Sequence, residues 1–167
     1  FPDNLSVLGQ RAFYGCYELR SVEIPDSITQ MGQEVFGNCY LLEDVSIGGS
    51  TNVTMTTFGP DVFSYCTSLC SIQVSPDNSM LKSVDGVLYS KDGTELLQYP
   101  AGKETTEYII QDGTRKIADY AIVGARELKE VLIPDTVTEI GERVFFQCEK
   151  LLYLVIPKNV TSVGILI

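Results

Sequence analysis

The sequence predicts an α/β repeat fold: a right-handed solenoid of about six stacked coils, with parallel strands, short helical turns and one β-hairpin insertion. Three observations predict it. Apolar positions recur at a step of 23 residues along much of the 167-residue chain. Within a repeat, a stretch that alternates apolar and polar residues is followed in turn by Pro, Gly, Phe and Cys. No repeat contains a stretch long enough for a stable isolated helix, so a core forms only when repeats stack.

The step is read directly from residue numbers. Leu19 moves to Leu42, Gly9 to Gly32, Phe13 to Phe36 and Cys16 to Cys39; later, Leu128 moves to Leu151, Ile133 to Ile156 and Gly141 to Gly164. The alternating stretches predict strands near Leu19–Ile24, Leu42–Ile47, Leu69–Val74, Thr105–Ile110, Leu128–Ile133 and Leu151–Ile156. Pro25 stops pairing, Ile28 to Gly32 reads as a second extended piece, and Val35 to Cys39 as one helical or 3₁₀ turn. That turn carries Phe36 inward, so Phe13, Phe36, Phe63 and Phe145 are expected in the core.

Two irregularities interrupt the register. Phe36 to Phe63, Cys39 to Cys66 and Leu42 to Leu69 step by 27, which adds four residues, most simply in a loop within Gly48–Asn52. From Leu69 the next strand in register begins at Thr105, a step of 36, or one repeat and 13 more residues. Inside that interval Lys91-Asp92-Gly93-Thr94 lies between the runs Ser83–Tyr89 and Glu95–Tyr99, a hairpin signal that predicts an irregular coil over about 76–104. The whole of 1–167 reads as one repeat domain, a piece of a longer array.

Composition narrows the function classes. Lys and Arg number 12 against 22 Asp and Glu, for a formal net charge of −10. Such a chain is repelled by phosphate backbones and anionic lipid heads, which argues against nucleic-acid partners. No apolar run reaches the ~18 residues of a membrane span, so this segment is not expected to insert. Histidine is absent, which removes the commonest general base and metal ligand. Neither enzymatic activity nor a cofactor is expected.

The unit seen from Leu128 through Cys148, Leu-x-x-Val-x-Ile-Pro-x-x-Val-x-x-Ile-Gly-x-x-Val-Phe-x-x-Cys, resembles the BspA-like leucine-rich repeat of bacterial cell-surface proteins. The stretch Ser83–Gly93, followed by Tyr99-Pro100-Ala101-Gly102-Lys103, resembles an insert recurrent in that family. The resemblance implies a leucine-rich-repeat solenoid at an extracellular or cell-surface location. It also implies a secreted or surface-attached binding module for host or neighbouring-cell macromolecules, with no catalytic residues to transfer. Ala118, Ile122 and Ala125 depart from the Gly, Phe and Cys of the unit, and imply less regular packing in the coil after the hairpin.

Candidate chemistry is sparse. Cys16, Cys39, Cys66 and Cys148 share one repeat position while Cys70 stands apart, which fits buried thiols in a ladder; a metal site lacks both a Cys-x-x-Cys pair and His. Asp85, Asp92 and Asp112 each precede Gly and read as turn residues, without the ligand spacing of a calcium loop. Asn4, Asn52 and Asn159 begin glycosylation triplets that matter only in a eukaryotic source. Paired carboxylates for glycan hydrolysis remain open among Glu23, Asp44 and Glu130.

The outward strand positions are more informative. One row reads Glu23, Ser46, Gln73, Ile109, Leu132, Val155, and its neighbour reads Ser21, Asp44, Ser71, Glu107, Glu130, Tyr153. Ile109, Leu132, Val155 and Tyr153 should therefore form an apolar patch, with Glu107 and Glu130 at its rim. Two readings fit: the patch is covered by the hairpin, another repeat or a second copy, or a protein or glycan partner docks there with Tyr153 as anchor. A structural spacer that projects another domain from the cell surface is the alternative to a binding module.

Overall fold

The computed structural model of the chain describes residues 1–49 and 61–165. In chain order its strands are β1 (Val7–Leu8), β2 (Ser21–Ile24), β3 (Gln30–Met31), β4 (Asp44–Ile47), β5 (Ser71–Val74), β6 (Leu81–Val84) and β7 (Val87–Ser90). They continue with β8 (Glu95–Gln98), β9 (Glu107–Ile109), β10 (Lys116–Ile117), β11 (Glu130–Leu132), β12 (Glu139–Ile140), β13 (Tyr153–Leu154) and β14 (Ser162–Val163). Each coil contributes a front strand, and the front strands form two parallel sheets, β2-β4-β5 and β9-β11-β13. The second extended pieces form a back layer: β1 pairs with β3, and β14-β12-β10-β8-β7-β6 make one sheet.

Register follows the repeat. Ser21 pairs with Asp44 and Ile24 with Ile47 at the 23-residue step, while Asp44 pairs with Ser71 at the longer one. The predicted loop within Gly48–Asn52 falls mainly on residues outside those described. The front strands start two residues later than the sequence predicts, because Leu19, Leu42, Leu69, Leu128 and Leu151 each close a turn onto the carbonyl three residues back. That turn aims the Leu inward, and Leu42, Leu69 and Leu128 are fully enclosed.

The expected short helical turns are absent; among the described residues this part of each coil is a series of turns with no helix. The reason lies in where the amides go. Arg11, Phe13 and Gly15 donate to the carbonyls of Gln33, Val35 and Gly37 in the next coil, and Tyr120, Ile122 and Gly124 donate likewise to Glu142, Val144 and Phe146. A continuing helix would instead turn its amides, after the first turn, onto its own carbonyls four residues back. Left-handed residues four apart break it: Glu34 and Asn38 at φ 52° and 59°, Tyr120 and Gly124 at 58° and 74°. The regular ladder through Tyr120, Ile122 and Gly124 also corrects the expectation of loose packing there, and Ile122 and Ala125 are buried.

Stacking produces continuous columns. Phe13, Phe36 and Phe63 lie ring over ring, with centroids 5.4 and 5.6 Å apart. Phe36, Phe63 and Phe145 are buried as expected, but Phe13 is only half-buried, its other side met edge-on by Phe1 at 5.4 Å. Tyr99 takes the Phe position of the irregular coil, a step of 36 from Phe63, and its amide donates to Ala121 as the Phe13 amide does to Val35. At the Cys position of that coil stands Gly102, where a Cβ would lie 2.4 Å from the Ser68 carbonyl carbon.

The insertion is larger than one hairpin. β7 pairs antiparallel with both β6 and β8, so Lys91–Thr94 does turn a hairpin, but the run Ser83–Tyr89 is itself divided by a second one at Asp85-Gly86. Both turn residues have positive φ, 50° and 78°, as a two-residue primed turn requires. The tip docks on the front layer, where Gly86 accepts a hydrogen bond from the Ile72 amide at 2.8 Å. All of β7 is buried; Leu88 packs into the core cluster of the first coils, and Val87 and Tyr89 into that of the later ones.

Two outcomes follow for stability. Phe36→Ala should cost about 3–5 kcal/mol, read from denaturant unfolding, because the cavity would open in the middle of the ring stack. Asp61 is nearly enclosed at 8% exposure, its Oδ1 has no hydrogen-bond partner among the described residues, and burial pushes its carboxyl up to about 7 despite a Gln33 hydrogen bond. The unfolded chain ionises such a group near pH ~3.9, so between there and about 7 the folded state holds the extra proton. Stability contributed by Asp61 therefore falls as pH rises through that window. Asp61→Asn, whose side chain tolerates the φ of 62°, should raise the thermal midpoint above pH 7 and leave it unchanged near pH ~4.

Candidate functional site

Alternation along the front strands decides what each coil presents. Val45 and Ile47 turn inward while Asp44 and Ser46 face solvent, and the same parity repeats in every front strand. In β2, β4 and β5 the outward positions are polar: Ser21, Glu23, Asp44, Ser46, Ser71 and Gln73. In the later coils the same register holds Ile109 at 70% exposure, Leu132 at 47%, Val155 at 75% and Tyr153 at 65%. Leu132 pairs directly with Ile109, and Glu130 lies between Glu107 and Tyr153. The hairpin leaves this patch open, docking instead beside β5.

The structure thus brings together all six predicted contact residues in two rows: Glu107, Glu130, Tyr153 and Ile109, Leu132, Val155. It adds two that the sequence reading missed. Leu152, 69% exposed, stands one step of 23 beyond Lys129 at the entrance to the strand; Ile156, expected inward, is 38% exposed. A separate exposed pair, Tyr17 and Tyr40, stacks at 5.5 Å with rings nearly parallel. The signal for it was the step between two Tyr residues.

Elsewhere on the surface the 23-residue step sets opposite charges side by side. Arg11 meets Glu34 at 2.5 Å, Arg20 meets Glu43 at 2.8 Å, Lys150 meets Glu127 at 2.7 Å and Lys116 reaches Glu139 at 3.9 Å; across the irregular coil Lys116 also reaches Glu95, 21 residues back, at 3.1 Å. An open notch of about 530 Å³ beside Ala101 and Gly102 holds two carboxylates, Glu104 and Glu127. Glu104 is exposed and Glu127 is clamped by Lys150, so neither sits in the apolar pocket that equips a carboxyl as a general acid.

Six copies of the family described as BspA type leucine rich repeat region match residues 1–90 and 100–165. The chain belongs to this family. It is similar to a leucine-rich repeat protein from Eubacterium ventriosum, with 24% identity, a TM-score of 0.72 and coverage of 95% of this chain and 53% of that one. The pneumococcal vaccine antigen PcpA is 27% identical with a TM-score of 0.72, over 93% of this chain and 44% of the antigen. A leucine-rich cell surface protein of Faecalibacterium prausnitzii is 25% identical with a TM-score of 0.66, over 93% and 52%. The chain therefore spans about half the length of these solved structures. The comparison with curated proteins returned no match.

The repeat explains the cysteines. The thiols of Cys39, Cys66 and Cys148 donate to the carbonyls of Phe13, Phe36 and Ile122 in the preceding coil, at 3.2, 3.1 and 3.2 Å. A small side chain with a weak donor suits a buried position that faces a carbonyl. All five thiols are free, and among the described residues no cluster of His, Cys, Asp and Glu could hold a metal. The hydrogen bond with Cys39, together with burial, pushes the Cys66 thiol up; burial raises that of Cys148 to about 11. Cys70 is the exposed one. A maleimide should label Cys70 first in the native protein and reach Cys39 and Cys66 only after denaturation, as read by mass spectrometry.

Proposed function

We propose that this BspA-type solenoid is a non-catalytic binding module whose front face, over β9, β11 and β13, recognises a macromolecule of a host or neighbouring cell. One observation carries the reading: Ile109, Leu132, Val155 and Tyr153 form a contiguous apolar surface on a parity that is polar in the earlier coils. Soluble chains leave such surface open where it is used. A cell-surface or extracellular setting, and a role in adhesion or protein recognition, agree with relatives that include a vaccine antigen and a cell surface protein. No helix among the described residues is long and apolar enough to cross a membrane. The polar front of β2, β4 and β5 supports the second reading, a spacer, for the first coils alone.

Replacing Leu132 and Tyr153 by Ser tests the face. Both side chains project from the solenoid, so the thermal midpoint should stay within ~2 °C of wild type, while retention on immobilised host matrix or mucus components is lost. Unchanged retention by a folded double variant would reject the site.

A further inference from the structure

Three register pairs in the described strand ladders set charge against charge. Two are opposite in sign, Lys116 with Glu95 and with Glu139. The third is Glu107 with Glu130, like charges side by side on neighbouring front strands. Like charges so placed destabilise a sheet. Neither carboxylate enters an ion pair or hydrogen bond among the described residues, although six other glutamates pair with Lys or Arg. Lys129, which precedes Glu130 in the chain, forms no ion pair with it, and the Lys103 ammonium is held by the Asp85 carbonyl at 2.8 Å.

This unrelieved pair borders the apolar row. Glu107 and Ile109, and likewise Glu130 and Leu132, stand two residues apart on one strand face, so an acidic row and an apolar row run side by side across the coils. Along each row the side chains repeat at about 4.8 Å, which falls between the rise of three and of four residues in an α-helix, about 4.5 and 6 Å. Resting on the front-face reading above, the geometry points to a basic amphipathic helix of a partner protein, laid across the strands. Its apolar stripe covers Ile109, Leu132 and Val155, and an adjoining Arg or Lys stripe neutralises Glu107 and Glu130. Arginine suits the site better than lysine, because its planar head can bridge two carboxylates and stack on Tyr153. A second copy of this chain is disfavoured, since its own acidic rim would meet Glu107 and Glu130.

The test uses an end-capped peptide of about 18 residues, helical, with a Leu stripe beside an Arg stripe, and a twin in which Glu replaces Arg. The Arg peptide should bind, more weakly as salt rises, and the Glu twin should not. Glu107→Gln with Glu130→Gln should weaken binding roughly tenfold and leave the thermal midpoint equal to or above wild type, since a repulsion is removed. Glu18→Gln with Glu142→Gln, the same charge change on other surfaces, should alter binding less than about twofold. Equal weakening by the two pairs of substitutions, or equal binding of both peptides, would overturn the proposal. If a neutral glycan or an acidic protein binds, is lost with Leu132→Ser and Tyr153→Ser, and ignores Glu107→Gln and Glu130→Gln, the basic helix is overturned while the front-face reading stands.

Discussion

The backbone hydrogen bond from one coil to the next is the interaction on which the rest of the structure depends. Coil after coil, the Gly32 amide reaches Leu8, the Glu43 amide reaches Arg20, the Gly141 amide reaches Ile117 and the Gly164 amide reaches Ile140. Each such bond ties residues a whole repeat apart, so one coil by itself has few partners for its polar backbone. The same demand removes helix from the turns: amides that would close on their own segment are used across the stack, and left-handed residues are tolerated to release them. Cysteine fits the same logic, its thiol answering a carbonyl left facing the interior.

Stacking in register also means that whatever one coil places at a position meets the same position in its neighbours. In the interior this builds columns of Leu, Ile and Phe, whose burial drives folding. On the surface it forces a choice at each row. Arg beside Glu is a weak attraction when exposed, but a row of like charges is a cost, so sign alternation keeps register and solubility compatible. The Glu107–Glu130 pair departs from that arrangement beside the apolar row. A surface with unsatisfied charge and unburied apolar area next to each other is chemically prepared for a complementary partner.

The irregular coil shows how the stack tolerates an insertion. Thirteen extra residues are accommodated because the Asp85-Gly86 tip substitutes for a front strand, accepting the bond that Ile72 would otherwise give to a regular coil. Tyr89 and Tyr108 then join across the seam through their hydroxyls at 2.6 Å, and Tyr99 meets the Tyr108 ring at 4.7 Å. Large aromatic side chains with a polar tip suit a seam between two differently built halves, filling volume and bonding at the end.

The 23-residue step, the parity of each strand, the inward Leu and Phe columns and the six residues of the front patch were all legible in the sequence, because they depend on local alternation and on identity at a fixed spacing. The second hairpin was written there as well, in Asp85-Gly86, but the longer run around it reads equally well as one strand until its partners are known. What only the tertiary structure decided is where polar groups found their partners. Whether Val35–Cys39 closes on itself as a helix or opens its amides to the next coil, whether Asp61 is solvated or enclosed, and whether the hairpin covers or spares Leu132 depend on a neighbour that is distant in sequence. Composition and spacing specify which residues share a row; only the packed stack determines which rows are sealed and which stay open to solvent.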